Sequence, residues 1–286
     1  MIEVLNPGIG SSFQDLGRPG LAHLGVGHSG AADRPSHRLA NRLLGNDESA
    51  ATIETCGGLS LRLQQAATIV VTGAQGAIDV RGGRAMAVNN VGDLPAGAEF
   101  TVRAPDEGLR YYVAVRGGFD VEPVLGSRSF DTLAALGPRL GAGDRIAIGP
   151  DPRTPMSTEW GFHRQHNTVI HVSDGPRYDW FTTEAWTLLT TQPYVVSPSG
   201  NRVGARLTGP ALERVAIREL LSEGLVEGAI QVPPDGQPIV MLADHPVTGG
   251  YPVVATVCDA DVDRAAQVRP GQSVRFVLVA PPWKDT

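Results

Sequence analysis

A chain of 286 residues with 42% hydrophobic and 19% charged residues has the balance of an ordinary soluble globule, and it is long enough to bury roughly 75% of its unfolded surface in one or two domains. A net charge of −6 and a pI near 5.6 exclude the basic face that nucleic acid or an anionic membrane requires. The 35 glycines and 22 prolines exclude long helical bundles and imply short elements joined by tight turns. No run approaches the ~20 apolar residues of a membrane span. The opening MIEVLNPG has no basic n-region and no apolar core, so a cytoplasmic protein is expected.

Two residue types narrow the chemistry further. Lysine occurs once, at Lys284, so 23 of the 24 basic residues are arginine. A GxxxxGK[ST] phosphate loop, a Schiff-base lysine within the fold, a Ser-Lys nucleophile and a Met-Lys biotin acceptor are therefore all excluded. An anion must be held by arginine forks, backbone amides or a helix N-terminus. Cys56 and Cys258 have no CxxC or zinc-like spacing and read as buried free thiols.

In chain order, residues 2–5 alternate as a short strand, turned by Asn6-Pro7-Gly8. The segments FQDLGRPG (13–20) and GVGHSG (25–30) form a glycine-punctuated loop that either cradles an anion through its N–H groups or is structural, with Asp15 pairing Arg18. Residues 33–44 are the clearest helix: Asp33 is a good N-cap, Pro35 fits the first turn, Leu39, Ala40, Leu43 and Leu44 share a face, and Gly45 stops it. From 53 to 150 short apolar runs at 59–63, 68–72, 111–115 and 145–148 alternate with glycines, as in a β-barrel or sandwich. Arg128 and Asp131 stand out on a polar loop there.

Residues 149–167 are rich in proline and polar groups and read as a linker, with His163 and His166 on its surface. A second strand-rich half follows: a strand at 168–172, a helix near 182–190 with Trp180, Phe181 and Trp186 packing it to the core, and a closing strand at 275–279. Arg202 and Arg206, four apart, either converge on one anion from a strand face or lie exposed on an edge. The domain boundaries expected are 1–150, a linker at 151–166, and 167–286.

The most informative stretch is 221–252, LSEGLVEGAIQVPPDGQPIVMLADHPVTGGYP. Its apolar runs are broken by Pro233-Pro234-Asp235-Gly236, which reverses the chain, and by Thr248-Gly249-Gly250, where backbone or ligand can come close. Glu223, Gln231, Gln237, Asp244, His245, Thr248 and Tyr251 collect around these turns, on loops at strand ends where binding and chemistry concentrate.

QDLGRPG, SGAAD (29–33), RLANRLLGN (38–46), GSRS (126–129), NRVGARLTGP (201–210), SEGLVEGAIQVPPDGQPIVMLAD (222–244) and TGGYP (248–252) occur in the order that resembles the carboxyltransferase-domain family once called allophanate hydrolase subunit 2. That family includes the C subunit of 5-oxoprolinase, the antagonist of a sporulation sensor-kinase inhibitor, and the carboxyltransferase domain of urea carboxylase. The resemblance implies a mainly β fold with few short helices, in two cyclophilin-like β-barrel subdomains. It also implies two partners: a companion B-type subunit, and a separate A-type subunit that completes ATP-dependent hydrolysis of 5-oxoproline, the ATP being used by the assembly. Two alternatives accompany it: carboxyl transfer to urea or a related amide from a biotin carrier in trans, and non-catalytic sequestration of a regulator.

A small lactam or amide needs donors and acceptors for its C=O and N–H and one group to manage a proton. Glu223 or Asp244 is the expected proton-handling carboxylate. Gln231 and Tyr251 would orient the amide, and Arg18 or Arg202 would be the carboxylate or phosphate fork. Asp33, Arg128 and Thr248 complete the expected substrate-binding set, and no metal is expected.

Overall fold

The computed structural model describes residues 1–157, 168–215 and 219–279. Among them the protein is mainly β with three short α-helices, Arg34–Leu43, Thr183–Thr191 and Asp259–Ala265. It divides into two compact units. Met1–Pro19 with Ser29–Gln165 forms one, and Gly20–His28 with His166–Thr286 forms the other. The second thus takes in a short segment that the boundaries 1–150 and 167–286 leave in the first. His163 and His166 and the later part of the expected linker lie outside the described residues. The earlier part is tied down: Arg116 donates to Asp151 Oδ1 (2.7 Å) and to Thr154 O (3.0 Å).

The first unit is built of two antiparallel sheets. One has six strands in the order Phe119–Asp120, Arg145–Ile148, Ile2–Asn6, Ser60–Leu63, Glu99–Val102 and Ile78–Arg81. The other has five: Ser12–Gln14, Thr52–Thr55, Glu107–Val115, Ala67–Gln75 and Gly92–Leu94. The period of two along Glu107–Val115 explains how they pack. Tyr111, Val113 and Val115 face the main core with Ile2, Leu61 and Phe100, while Tyr112 and Ala114 face the helix Arg34–Leu43 through Ala40, Leu43 and Leu44. Both faces of that strand are buried.

That helix starts where its sequence requires. Asp33 Oδ1 accepts from Ser36 N (3.1 Å) and Oδ2 from Ser36 Oγ (2.7 Å), with proline in the first turn. His37, on its buried face, donates from Nε2 to Glu48 O (2.9 Å), and burial pushes its pKa down to about 4.

The second unit is a closed seven-stranded barrel in the order Val169–Asp174, Val253–Val257, Ala229–Gln231, Ile239–Met241, Gly204–Thr208, Tyr194–Val196 and Ser273–Leu278. The parallel pairing Val169↔Arg275 to Val172↔Leu278 closes it and leaves no free edge. The reversal at residues 233–236 joins Ala229–Gln231 to Ile239–Met241. Gly236 there sits at φ 76° with its N–H on Pro233 O (3.0 Å).

Three local expectations need correction. The helix Asp259–Ala265 is unannounced in the sequence, because its seven residues include three aspartates and an arginine and show no apolar repeat. Cys56 and Cys258 are free, yet neither is fully buried. Trp180 is half-exposed and carries an arginine on its face, whereas its neighbour Phe181 is in the core.

Candidate functional site

In the first unit the loops QDLGRPG and GSRS close around one buried carboxylate. Asp15 Oδ1 accepts from Ser127 Oγ, Ser129 Oγ (both 2.6 Å) and Gly17 N (2.8 Å), and Oδ2 accepts from Arg128 N (2.6 Å). Asp15 therefore does not need Arg18 as a partner. Arg18 is itself buried and donates to the carbonyls of Ser129 and Val124. Its Nη1 has no hydrogen-bond partner, and neither has Gln14 Oε1, although both are buried. The side chain of Arg128 donates to Val121 O (2.8 Å), while Asp131 accepts from the amides of Leu133 and Ala134 (2.9 Å each), so these two residues are not an ion pair.

The loop Ser29–Asp33 is held by a second buried carboxylate, Glu54, which no sequence motif marks. Ala32 N donates to Glu54 Oε2 (3.0 Å), as does Tyr112 Oη (2.8 Å), and Arg110 Nε lies 3.3 Å from Oε1. Asp33 N donates to Tyr112 Oη (2.6 Å) and Ala31 N to Asp15 O (2.9 Å). Burial and the charge of Glu54 hold the Tyr112 phenol well above its ordinary pKa, so it remains a donor. The amides available to cradle an anion thus serve protein groups, and Glu54 is the anion they face. Gly30, at φ 97°, is required here: a Cβ would stand 2.9 Å from Gly17 N. Asp33 acts as the helix cap described above.

In the second unit Arg202 and Asp244 form a bidentate pair, Nε to Oδ2 and Nη2 to Oδ1 both 2.9 Å, with side chains 6% and 0% exposed. Asp244 N also donates to Arg202 O (3.0 Å), so backbone and side chain both fix this junction. Arg206 is exposed, so the two arginines neither converge nor share an edge. Gln231 is buried, and its Nε2 donates to Tyr251 O (3.0 Å).

Glu223, Thr248 and Tyr251 come together at the surface of this unit. Glu223–Gly224 pairs with Thr248–Gly249 as a two-residue ribbon. A Cβ at Gly249 would stand 2.6 Å from Gln231 Nε2, so the ribbon lies directly on the glutamine amide. The fork of Arg177 grips Glu223, with Nε 3.2 Å from Oε2 and Nη2 on Oε1, and its guanidinium carbon lies 5.6 Å from the centre of the Trp180 ring. The hydrogen bond to Glu223 raises the pKa of Arg177 above its ordinary value. These two side chains are 34% and 32% exposed.

Arg214 borders the same cluster. It bridges to Phe181 through the backbone, donates to Val232 O, and feels the Tyr251 phenol. Burial lowers its pKa, partly offset by that phenol. Arg177, Trp180 and Arg214 carry no sequence signature, because the contacts that matter to them are long-range. A cavity of about 610 Å³ lined by Gln65, Thr68, Asp93, Arg116 and Asp151 lies in the first unit, away from all of these motifs. Among the described residues no cluster of histidine, cysteine, aspartate or glutamate is arranged to hold a metal, and no helix is long and apolar enough to cross a membrane.

The family model "Carboxyltransferase domain, subdomain A and B" matches residues 24–278. The chain is 37% identical to the 5-oxoprolinase C subunit of Escherichia coli (strain K12), over 97% of this chain and 91% of that one. The crystal structure of TTHA0988 superposes with a TM-score of 0.87 at 33% identity, covering 96% of this chain and 55% of that one. The Kluyveromyces lactis urea carboxylase superposes with a TM-score of 0.88 at 28% identity, over 98% of this chain and 27% of that enzyme. The chain thus spans about half of one solved relative and about a quarter of the other. By sequence and by fold, this chain belongs to the family of carboxyltransferase domains with subdomains A and B.

Proposed function

We propose that this chain is the C subunit of a multi-subunit 5-oxoprolinase, a hydrolase that works only as a complex with a companion B-type subunit and a separate A-type subunit. The observation that carries this reading is the near end-to-end match, in both directions, to the C subunit of the Escherichia coli 5-oxoprolinase. ATP is used by the assembly. With Lys284 as its one lysine, this chain has no P-loop with which to hold a nucleotide.

Opening a lactam with water forms a bond from the water oxygen to the carbonyl carbon, breaks the ring C–N bond and places a proton on nitrogen. Glu223 is assigned that proton, because it is the motif carboxylate that solvent and a small ligand can reach. Asp244 acts through Arg202, with which it fixes the end of the hairpin. Gln231, Thr248 and Tyr251 orient the amide around the ribbon. Arg18, Arg128 and Asp33 serve the substrate indirectly, through the first-unit loops that they shape.

The test is to assemble the chain with its B-type and A-type partners and to follow glutamate release from 5-oxoproline with and without ATP. ATP-dependent release is expected. A second reading, carboxyl transfer to urea or a related amide, is favoured by the superposition on urea carboxylase. It requires a biotin carrier in trans, since no Met-Lys pair exists here. Carboxylation of urea by the assembly with such a carrier, in place of glutamate release, would establish it. Stable complex formation with neither activity would instead mark a regulator.

A further inference from the structure

We propose that Arg177, seated on the face of Trp180, is a carboxylate-binding residue for which Glu223 and the carboxylate of a small substrate compete. The inference rests on reading the Glu223 ribbon as the substrate site, and it names the class of ligand: a compact planar amide that bears a carboxylate.

A guanidinium presents paired N–H groups along its edges, in the geometry of one carboxylate, while its flat faces suit an aromatic ring. Arg177 uses both features at once. Trp180 lies against its face at 5.6 Å, and the Nε/Nη2 edge meets both oxygens of Glu223. Stacking fixes the plane of the fork, so whichever carboxylate enters is received in one orientation. The backbone holds the fork as well, because Arg177 N donates to Val253 O (3.1 Å) at a barrel strand.

Exposure separates this pair from the other arginine fork of the unit. Arg202 and Asp244 are sealed, and opening them would leave two buried charges without partners. Arg177 and Glu223 are each about one-third exposed, and such pairs contribute little to folding. Glu223 can therefore yield its place without cost to the barrel. Its ribbon has only two residues on each side, a length that lets the carboxylate swing while Leu225 N stays on Val247 O (2.9 Å).

The surroundings fit the rest of such a ligand. Gln231, Thr248 and Tyr251 border the ribbon with amide, hydroxyl and phenol groups, and Arg214 adds a second positive charge beside Tyr251. A carboxylate on Arg177 would place the attached amide among these groups and release Glu223 to manage its proton. Displacement would thereby couple binding to the availability of the base.

The test is a calorimetric titration of the full chain, alone and with its B-type partner, using 5-oxoproline and the neutral lactam 2-pyrrolidinone. Arg177→Gln should weaken 5-oxoproline binding by about tenfold or more and leave 2-pyrrolidinone unchanged. Arg177→Lys, which keeps the charge and loses the fork, should fall between. Glu223→Gln should tighten 5-oxoproline binding, an effect that a merely structural role for the pair would not produce. Unchanged binding in Arg177→Gln, weaker binding in Glu223→Gln, or no Arg177-dependent binding to either form of the protein would overturn the proposal. Turnover of 5-oxoproline with an unaltered KM in Arg177→Gln would leave the assigned reaction standing and remove this inference. Arg177-dependent binding in an assembly that does not open 5-oxoproline would do the reverse.

Discussion

In the first unit the carboxylates Asp15 and Glu54 are buried and each oxygen faces a donor from the same unit, whereas in the second Glu223 stands partly in solvent with Arg177 as its partner. Both arrangements grow from glycine-rich loops at strand ends. The difference lies in what the loops are closed upon. Asp15 and Glu54 gather backbone amides that would otherwise be orphaned, so their charge is spent on loop shape. Glu223 gathers no amide, and its charge remains available to a ligand. A cluster of polar motif residues therefore identifies a working site only when burial and partners are known.

The contrast can be broken most forcefully at Glu54. Glu54→Ala would leave Arg110, Ala32 N and the Tyr112 hydroxyl without their acceptor, and should cost about 3–5 kcal/mol of first-unit stability in urea denaturation. A loss below about 1 kcal/mol would mean that this network does not hold the loop.

Acid sharpens the same contrast. His37 stays neutral when folded, with a pKa of about 4, while the unfolded chain takes up a proton near its ordinary 6.5. Above that value neither state is protonated, and below it only the unfolded state gains. Stability should accordingly fall by about 3 kcal/mol as pH drops from ~6.5 to ~4, beyond what the carboxylates contribute. Denaturation midpoints across that range should show the slope, and His37→Gln should flatten it.

Glu223→Gln should behave in the opposite sense to Glu54→Ala. Its unfolding midpoint should stay within about 0.5 kcal/mol of the native protein, while turnover by the assembled enzyme drops by about 100-fold or more. The smallest effect is expected at Tyr111, whose hydroxyl is buried without a partner. Tyr111→Phe should raise stability by up to about 1 kcal/mol, which a shift of the urea midpoint would register.

Much of the fold can be read from the sequence because its signals are local. Residues 145–148 alternate and form the strand Arg145–Ile148, Asp33 caps the helix that it precedes, and the proline-glycine reversal at 233–236 turns the hairpin. The carboxyltransferase family itself is legible in blocks such as QDLGRPG and TGGYP. The site is less so, because its decisive contacts are distant in the chain. Arg177 lies 46 residues from Glu223, and nothing in its neighbourhood distinguishes it from other surface arginines. Arg202 and Arg206 look equivalent by spacing, yet one is sealed against Asp244 and the other faces solvent. Spacing reports which face a side chain takes, and only the folded chain decides what meets it there.

The account stands most directly on one comparison of rates. The chain assembled with its B-type and A-type partners should release glutamate from 5-oxoproline only when ATP is present, and the same assembly carrying Glu223→Gln should form normally and release almost none. Equal, ATP-dependent release by both assemblies would contradict it.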